Sequence, residues 1–560
     1  MASGGSSAAH TTLTAIRRRW QRSVEPFTLA ATLLAAMLAI PVVTVALNLF
    51  ASGTGIMDHL VQTVLPGTIL NTVALAILVG LGVTATGTGA AWLVVMCRFP
   101  GRRILEVALL LPLAAPGYVL AYAYADLLDS AGPVQELLRD LTGWRTGDYW
   151  FPAIRSLPGA AFVLTVALYP YVYLLARAAF LEQSACAIEV ARSLGRGPWT
   201  AFLHVALPLA RPAIAGGVAL ALMETIADYG TVAFFGVPAF TTMIYRTWFS
   251  HGDPVAAAQL SAGLVSLVAL LIAAERISRG RQRFANTSRR TRPLSAYVLR
   301  GPRAAAATAL CALPALLGFG IPAFSLFAMA LGETALADAR LLKAAAASVT
   351  LAAIVAALAI VAALVFAYAQ RSSRHPLAGL AAQTAGLGYA VPGSVIAVGT
   401  LLPFAALDNG IDALMRMQFG VSTGLILTGS LAALVFACLV RFTGVALQSA
   451  QAGLTRVTPA MDDAARVLGR PVLERLTLVH GPLIAPSLLT GALMVFVDTL
   501  KELPATLMMR PFGFETLATR AHALASDERL AAAAVPSLAT VAAGLVPIIV
   551  LMRAMRRTSG

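Results

Sequence analysis

About twelve long, nearly unbroken apolar blocks run along this chain, and they restrict its fold more than any other feature. A helix needs about 20 apolar residues to cross the hydrocarbon of a bilayer. Phe27 to Phe50, Ile69 to Cys97, Ile104 to Leu128 and Leu157 to Phe180 each exceed that length. Further blocks lie near residues 213–236, 256–274, 304–331, 343–369, 378–404, 422–447, 483–508 and 529–552. In lipid every backbone N–H and C=O must be satisfied by protein, so blocks of this kind are expected to be helices. Only 12% of the 560 residues are charged, about half the share in soluble domains. The expected fold class is an all-α polytopic membrane protein with about 12 transmembrane helices.

The net charge of +15 would suit a nucleic-acid partner if it were gathered on one face. It is instead placed in alternate connections between the apolar blocks. Arg17, Arg18, Arg19 and Arg22 precede the first block, and Arg98, Arg102 and Arg103 lie between the second and third. Nine arginines occupy 275–303 against the single acid Glu275, Arg371 and Arg374 follow the eighth block, and Arg553, Arg556 and Arg557 end the chain. That pattern obeys the positive-inside rule. It implies a bilayer partner and no nucleic acid, with an even number of spans and both termini in the cytoplasm. The first block is too long for a signal-peptide core and reads as an uncleaved span. Cys97, Cys186, Cys311 and Cys438 show no metal or redox spacing and are expected as free thiols.

The chain also repeats itself. Residues 189–212 read EVARSLGRGPWTAFLHVALPLARP, and residues 463–486 read DAARVLGRPVLERLTLVHGPLIAP. At this offset of 274, Glu189 meets Asp463, Gly195 meets Gly469 and Pro208 meets Pro482. The match continues through Glu224 and Asp498, Asp228 and Glu502, Arg246 and Arg520, and Asp253 and Asp527. Upstream, Pro116-Gly117 meets Pro392-Gly393 at an offset of 276. The expected organisation has five parts: a tail (1–26), a first six-span domain (27–274), a basic linker (275–303), a second six-span domain (304–552) and a tail (553–560). Six is even, so both halves insert in the same direction, as parallel repeats.

The duplicated segment between the fourth and fifth spans of each half carries the functional signal. Glu189 to Leu194 is predicted as a short helix, and Gly195 suits the left-handed position that ends one. Pro198 suits the first turn of a second helix. The other copy matches, with Gly469 as the stop and Pro471 as the restart. Two short helices meeting at a glycine make a protruding elbow, and small Ala191 and Ala465 allow another backbone to come close.

These residues resemble the EAA loop of binding-protein-dependent ABC importer permeases, whose pattern is E-A-A, three residues, G and a distal L-P. Here the copies read E-V-A-x-x-x-G with Leu207-Pro208 and D-A-A-x-x-x-G with Gly481-Pro482. The departures are Val190, Asp463 and Gly481. The resemblance implies a MetI-like permease fold in a bacterial inner membrane. It also implies coupling roles for Glu189, Ala191 and Gly195 and for Asp463, Ala465 and Gly469. The partners it implies are two ATP-binding subunits on the cytoplasmic side and a periplasmic solute-binding protein. A phosphate-binding loop needs G-K-[ST], whereas the two lysines, Lys343 and Lys501, each follow leucine. The chain is therefore expected to be a transport subunit and not an enzyme. It would need no cofactor of its own, and ATP would be used by the partner. No catalytic cluster or firm metal site is expected, and His204 and His480 read as ordinary loop residues.

Glu224 and Asp228 stand four apart in the fifth span, and Asp498 and Glu502 repeat them in the eleventh beside Lys501. At ~1.5 Å per residue they lie roughly 18–24 Å along the helix from Pro212 and Pro486. A charge at such depth costs at least ~2.5–3.5 kcal/mol, so the acids should avoid lipid. Two roles are open to them: lining a path for a cationic solute, or forming a structural network with Lys501, Thr225 and Thr499. Gly230 and Pro504, just beyond, suggest a helix break.

The stretches ADYGTVAFFGVPAFTTMIYRTWF (227–249) and LKELPATLMMRPFGFETLATR (500–520) resemble ferric-iron importer permeases with fused halves. That resemblance implies iron delivery from a periplasmic ferric-binding protein. Similar fused permeases carry thiamine or aminoethylphosphonate, and an ion-coupled carrier shares the parallel repeat without explaining the elbow.

Overall fold

A computed structural model describes all residues except 1–25, 54, 183–197, 280–296, 333–338, 374, 470–473 and 559–560. Among the described residues, eleven helices are long and apolar enough to cross a membrane. The count reaches twelve if the pair Arg102–Ala114 and Gly117–Thr142, bent by 96°, forms one span. The only strands among them are a two-residue parallel bridge, Cys97–Arg98 with Tyr297–Val298. The protein is an all-α polytopic membrane protein.

The first half supplies α1 (Pro26–Asn48), α2 (Leu65–Met96), α3 (Gly117–Leu128) and α4 (Leu157–Glu182). It continues with α5 (Leu207–Ala227), the short α6 (Gly230–Phe234), α7 (Phe240–Phe249) and α8 (Pro254–Arg279). The second half begins with α9 (Pro302–Leu331), α10 (Ala339–Ser372), α11 (Gly393–Phe419) and α12 (Leu431–Leu454). It ends with α13 (Pro459–Val467), α14 (Gly481–Leu500), the short α15 (Pro504–Met509), α16 (Leu517–Ser526) and α17 (Leu530–Thr558). The smaller of two compact units holds residues 1–40, 353–389 and 438–496. The larger holds 41–352, 390–437 and 497–560, so it draws helices from both halves of the sequence.

Four of the apolar blocks are not continuous helices. The block at 104–128 breaks at Pro116, and the block at 378–404 breaks at Pro392, each just before the glycine that starts α3 or α11. Both prolines are extended, with ψ of 149° and 142°. Proline has no N–H to continue a helix and pushes the residue before it out of the helical region. The blocks at 213–236 and 483–508 end early, at Ala227 and Leu500. A π-helical turn precedes α5 and another precedes α14 (Phe202–Ala206 and Arg475–His480). There the N–H groups of Leu207 and Gly481 reach back five residues, to the carbonyls of Phe202 and Leu476. Pro208 and Pro482 supply no N–H just there, which favours the wider turn.

The structural repeat drifts by three residues after α6 and α15. The N–H of Phe240 donates to Thr72 Oγ1, and the N–H of Leu517 donates to Ser348 Oγ. Thr242 and Thr519 sit in matching capping turns at the starts of α7 and α16. Phe240 with Leu517 and Thr242 with Thr519 match at an offset of 277, so Arg246 and Arg520 are not structural equivalents. The connection from α15 to α16 is longer than that from α6 to α7, and the helix start is fixed by its cap and not by sequence distance.

The most extensive helix pairing, α2 on α4 within the larger unit, depends on small residues. A Cβ on Gly87 would lie 2.7 Å from Val172 Cβ and 2.9 Å from the Tyr169 carbonyl oxygen. Without a hydrophobic driving force between helices in lipid, such close backbone approach supplies the attraction. Gly89, two residues on, has open space around its Cβ position. Gly87→Val should therefore lose about 1–3 kcal/mol of stability through overpacking, seen as a lower melting temperature in detergent. Gly89→Ala should melt like the parent chain.

Candidate functional site

In the larger unit, the ends of α5 and α14 bring the four sequence-singled acids into two kinds of setting. Glu224 stands on α5, half-buried. Asp228 has already left the helix, with φ −63° and ψ 132°. The expected i, i+4 face is therefore interrupted, because the second acid turns to cap the helix that follows. Asp228 Oδ1 accepts from the N–H groups of Thr231 (3.0 Å) and Val232 (3.1 Å), and Oδ2 accepts from the Thr231 hydroxyl at 3.0 Å. Glu502 repeats the arrangement at α15, where its Oε1 accepts from the Ala505 N–H at 2.8 Å. Asp498, on α14, pairs with Lys501 at 3.1 Å.

The two breaks meet. A Cβ on Gly230 would sit 2.5 Å from Tyr118 Cβ and 2.9 Å from Leu503 Cδ2. One on Gly117, at the start of α3, would lie 3.5 Å from Asp228 Oδ2. Close approach requires the glycine at 230, while at 117 a Cβ would press on Thr231 Oγ1 at 3.0 Å. Tyr118 itself is buried, and its hydroxyl has no hydrogen-bond partner among the described residues. An aromatic group begins beside it at Tyr122, whose ring centroid is 5.7 Å away. The Tyr122 hydroxyl shares a 2.9 Å hydrogen bond with His522 Nδ1, and the Tyr229 ring lies between Tyr245 (4.9 Å) and His522 (5.7 Å). Tyr245 and His522 are equivalents in the 277 register. Sequence reasoning missed this group because its members come from four segments. The signal available was the repeated Pro-Gly that starts α3 and α11.

A polar pocket of about 310 Å³ lies at the start of α10 beside α16 and α17. Arg340, Glu515, Arg520, Asp527 and Arg529 line it.

The first elbow, with Glu189, Ala191 and Gly195, lies outside the described residues. The second is in the smaller unit. Gly469 has φ of 69°, a conformation that other residues adopt only with strain. Asp463 is exposed, whereas Ala465 is 5% exposed, so its small side chain serves packing within this chain. Val467 and Leu468 are 88% and 76% exposed, an apolar tip on a polar loop. His480 is not an ordinary loop residue: it is fully buried, and its Nε2 lies 2.8 Å from Asp462 Oδ1. His204 is exposed. Burial pushes the Asp462 carboxyl up, but Arg371 and His480 outweigh it and hold the group below the usual carboxylate range.

Broken spans and a glycine elbow with an apolar tip characterise this polytopic membrane protein. No protein-family model matches the chain. It is 25% identical over 491 residues to the Fe(3+)-transport system permease protein FbpB 2 of Haemophilus influenzae, covering 86% of this chain and 89% of that one. It is 31% identical over 201 residues to the molybdenum transport system permease protein ModB of Escherichia coli K12, covering 34% of this chain and 85% of that one. A putative 2-aminoethylphosphonate transport system permease protein, PhnU of Salmonella choleraesuis, is 26% identical over 214 residues, 36% of this chain and 74% of that one. The chain belongs to the ABC importer permeases, as a fused double permease.

The caps give a direct test. Asp228→Ala should lower thermal stability in detergent by about 0.5–2 kcal/mol, the range for a lost N-cap. Asp228→Asn, which keeps an acceptor oxygen, should recover most of it. An unchanged midpoint in Asp228→Ala would show that the cap contributes nothing.

Proposed function

We propose that this chain carries ferric iron from a periplasmic binding protein to the cytoplasm, driven by two ATP-binding subunits. The supporting observation is the span of the likeness to the iron permease. It covers 86% of this chain, both halves included, whereas the molybdenum and phosphonate permeases match about a third. In this reading residues 27–274 and 304–552 are the two permease domains, and both termini are cytoplasmic. The chain itself needs no cofactor, since ATP is used by the partner.

The elbows seat the ATPase. Glu189, Ala191 and Gly195 belong to one docking point, and Asp463 and Gly469 to the other, with Ala465 packed behind them. The exposed Val467 and Leu468 support this, since an apolar tip in water gains when a partner covers it. The break acids hold the pathway's shape: Asp228 and Glu502 fix the short helices through backbone N–H groups. Glu224, on α5, and Asp498, on α14 beside Lys501, are the acids assigned to meet a cation, and oxygen donors suit a hard one.

A second reading, an oxyanion cargo, is favoured by the molybdenum permease likeness and by the three arginines of the polar pocket. Uptake by the reconstituted transporter, with its own ATPase and binding protein in liposomes, separates the two. Radioactive ferric ion should enter with ATP, while molybdate and 2-aminoethylphosphonate should not. The reverse outcome rejects iron.

Two variants test the residue roles. Glu224→Gln with Asp498→Asn should reduce cation uptake while the ATPase still binds and the melting temperature holds. Lost stability that Lys501→Met rescues would assign these acids to structure instead. Gly469→Val should leave the chain in the membrane but abolish uptake, because a β-branched residue at φ > 0 is strained by roughly 1–2 kcal/mol or more.

A further inference from the structure

The second coupling loop is tied to the smaller unit by a cluster that the alignment of the two halves does not contain. Arg371, near the end of α10, donates to Asp462 Oδ2 from Nε (2.9 Å) and Nη2 (2.6 Å). Its remaining donors reach the carbonyls of Leu454 (3.1 Å) and Val457 (2.8 Å), where α12 ends and leads into α13. From the other side His480, on the π turn that opens α14, meets Asp462 Oδ1 at 2.8 Å. One carboxylate on α13 thus joins the ends of two membrane helices, while a third is held through the same arginine. Asp462 is largely buried, and His480 fully so. With Nε2 as the donor to Asp462, Nδ1 is the unprotonated nitrogen, and it has no partner among the described residues. Among the described residues, the hydrogen-bond partner of His480 is Asp462.

Offset by 274, the first half has Ile188 for Asp462 and Ala206 for His480. Neither side chain can accept or donate a hydrogen bond. The first copy of the sequence therefore offers no side chain for the same tie at these two positions, although its EAA segment aligns.

We infer that Asp462 is a positioning residue for coupling: it makes the second loop and the ends of α10, α12 and α14 move as one body, so that this half transmits the ATPase stroke rigidly. The inference rests on the reading of the loop as an ATPase docking point. Two-sided ionic and hydrogen-bonded fixation of one carboxylate is stiffer than the packing of a loop alone, and breaking it leaves a buried partner unpaired. Coupling between sites in proteins is typically a few-fold to a hundredfold effect.

The test uses the complete transporter, this chain with its ATPase subunits, in liposomes. The binding protein is isolated from the native membranes with its own solute bound. The readout is the ratio of ATP hydrolysis with that protein to hydrolysis without it, beside the melting temperature. Asp462→Asn should lower the ratio roughly tenfold while the ATPase subunits still co-purify. Asp462→Glu should restore part of it. His480→Phe leaves the Arg371 pair intact, removes only the tie to α14, and should also lower the ratio. His480→Gln, which keeps a donor, should hold it. A normal ratio in both Asp462→Asn and His480→Phe, whatever their melting temperatures, overturns the inference and leaves the cluster a structural one. A parent chain that recovers no ATPase subunit at all overturns the docking reading itself, a result visible before any variant is made.

Discussion

Water is missing where this chain does most of its folding, and so each backbone N–H and C=O in the bilayer must be answered by protein. Long helices meet that demand by themselves. The breaks do not. At Pro116, Ala227, Pro392 and Leu500 the helical ladder stops in the middle of apolar sequence, and each stop leaves N–H groups of a new helix without a partner. Asp228 and Glu502 supply the missing acceptors for α6 and α15. Those caps hold the starts of the short helices, and α3 and the tyrosine group pack beside them. A carboxylate accepting hydrogen bonds from backbone N–H groups is far less costly in lipid than a bare one.

This division of labour changes what the membrane acids mean. A pair four residues apart suggests two equivalent ligands on one helix face. The structure makes one acid of each pair a structural cap and leaves the other on the helix. Asp498 has Lys501 beside it, so even the two remaining positions are not electrostatically alike. A fused chain permits this asymmetry. Once the halves are covalently joined, each can drift from its copy, as His522 has drifted from Tyr245 and Asp462 from Ile188.

Small residues provide the second support. Gly87 against Val172, Gly217 against Val172 and Gly230 against Tyr118 mark places where helices or breaks touch backbone to neighbour. Lipid tails are as apolar as leucine, so close packing and not hydrophobic burial holds such helices together. The apolar blocks tell where helices are. The glycines tell where they meet.

Composition and block length alone determined that the chain spans a membrane many times, because about 20 apolar residues have no other stable state there. The Gly469 stop was also legible, since local backbone needs leave residue signatures: it does take the positive φ that its place in the pattern requires. The register after α6 was not legible, because caps and loop lengths set helix starts, and neither scales with sequence distance. Nor was the role of Asp228, which reads as a helix-face acid until the helix ends at Ala227. His480 looked like a loop residue, and only folding puts it beside Asp462 and Arg371, distant in sequence. The tyrosine group shares that history. Interactions between neighbours along the chain are written in the chain, whereas those between distant segments exist only after packing has chosen which segments touch.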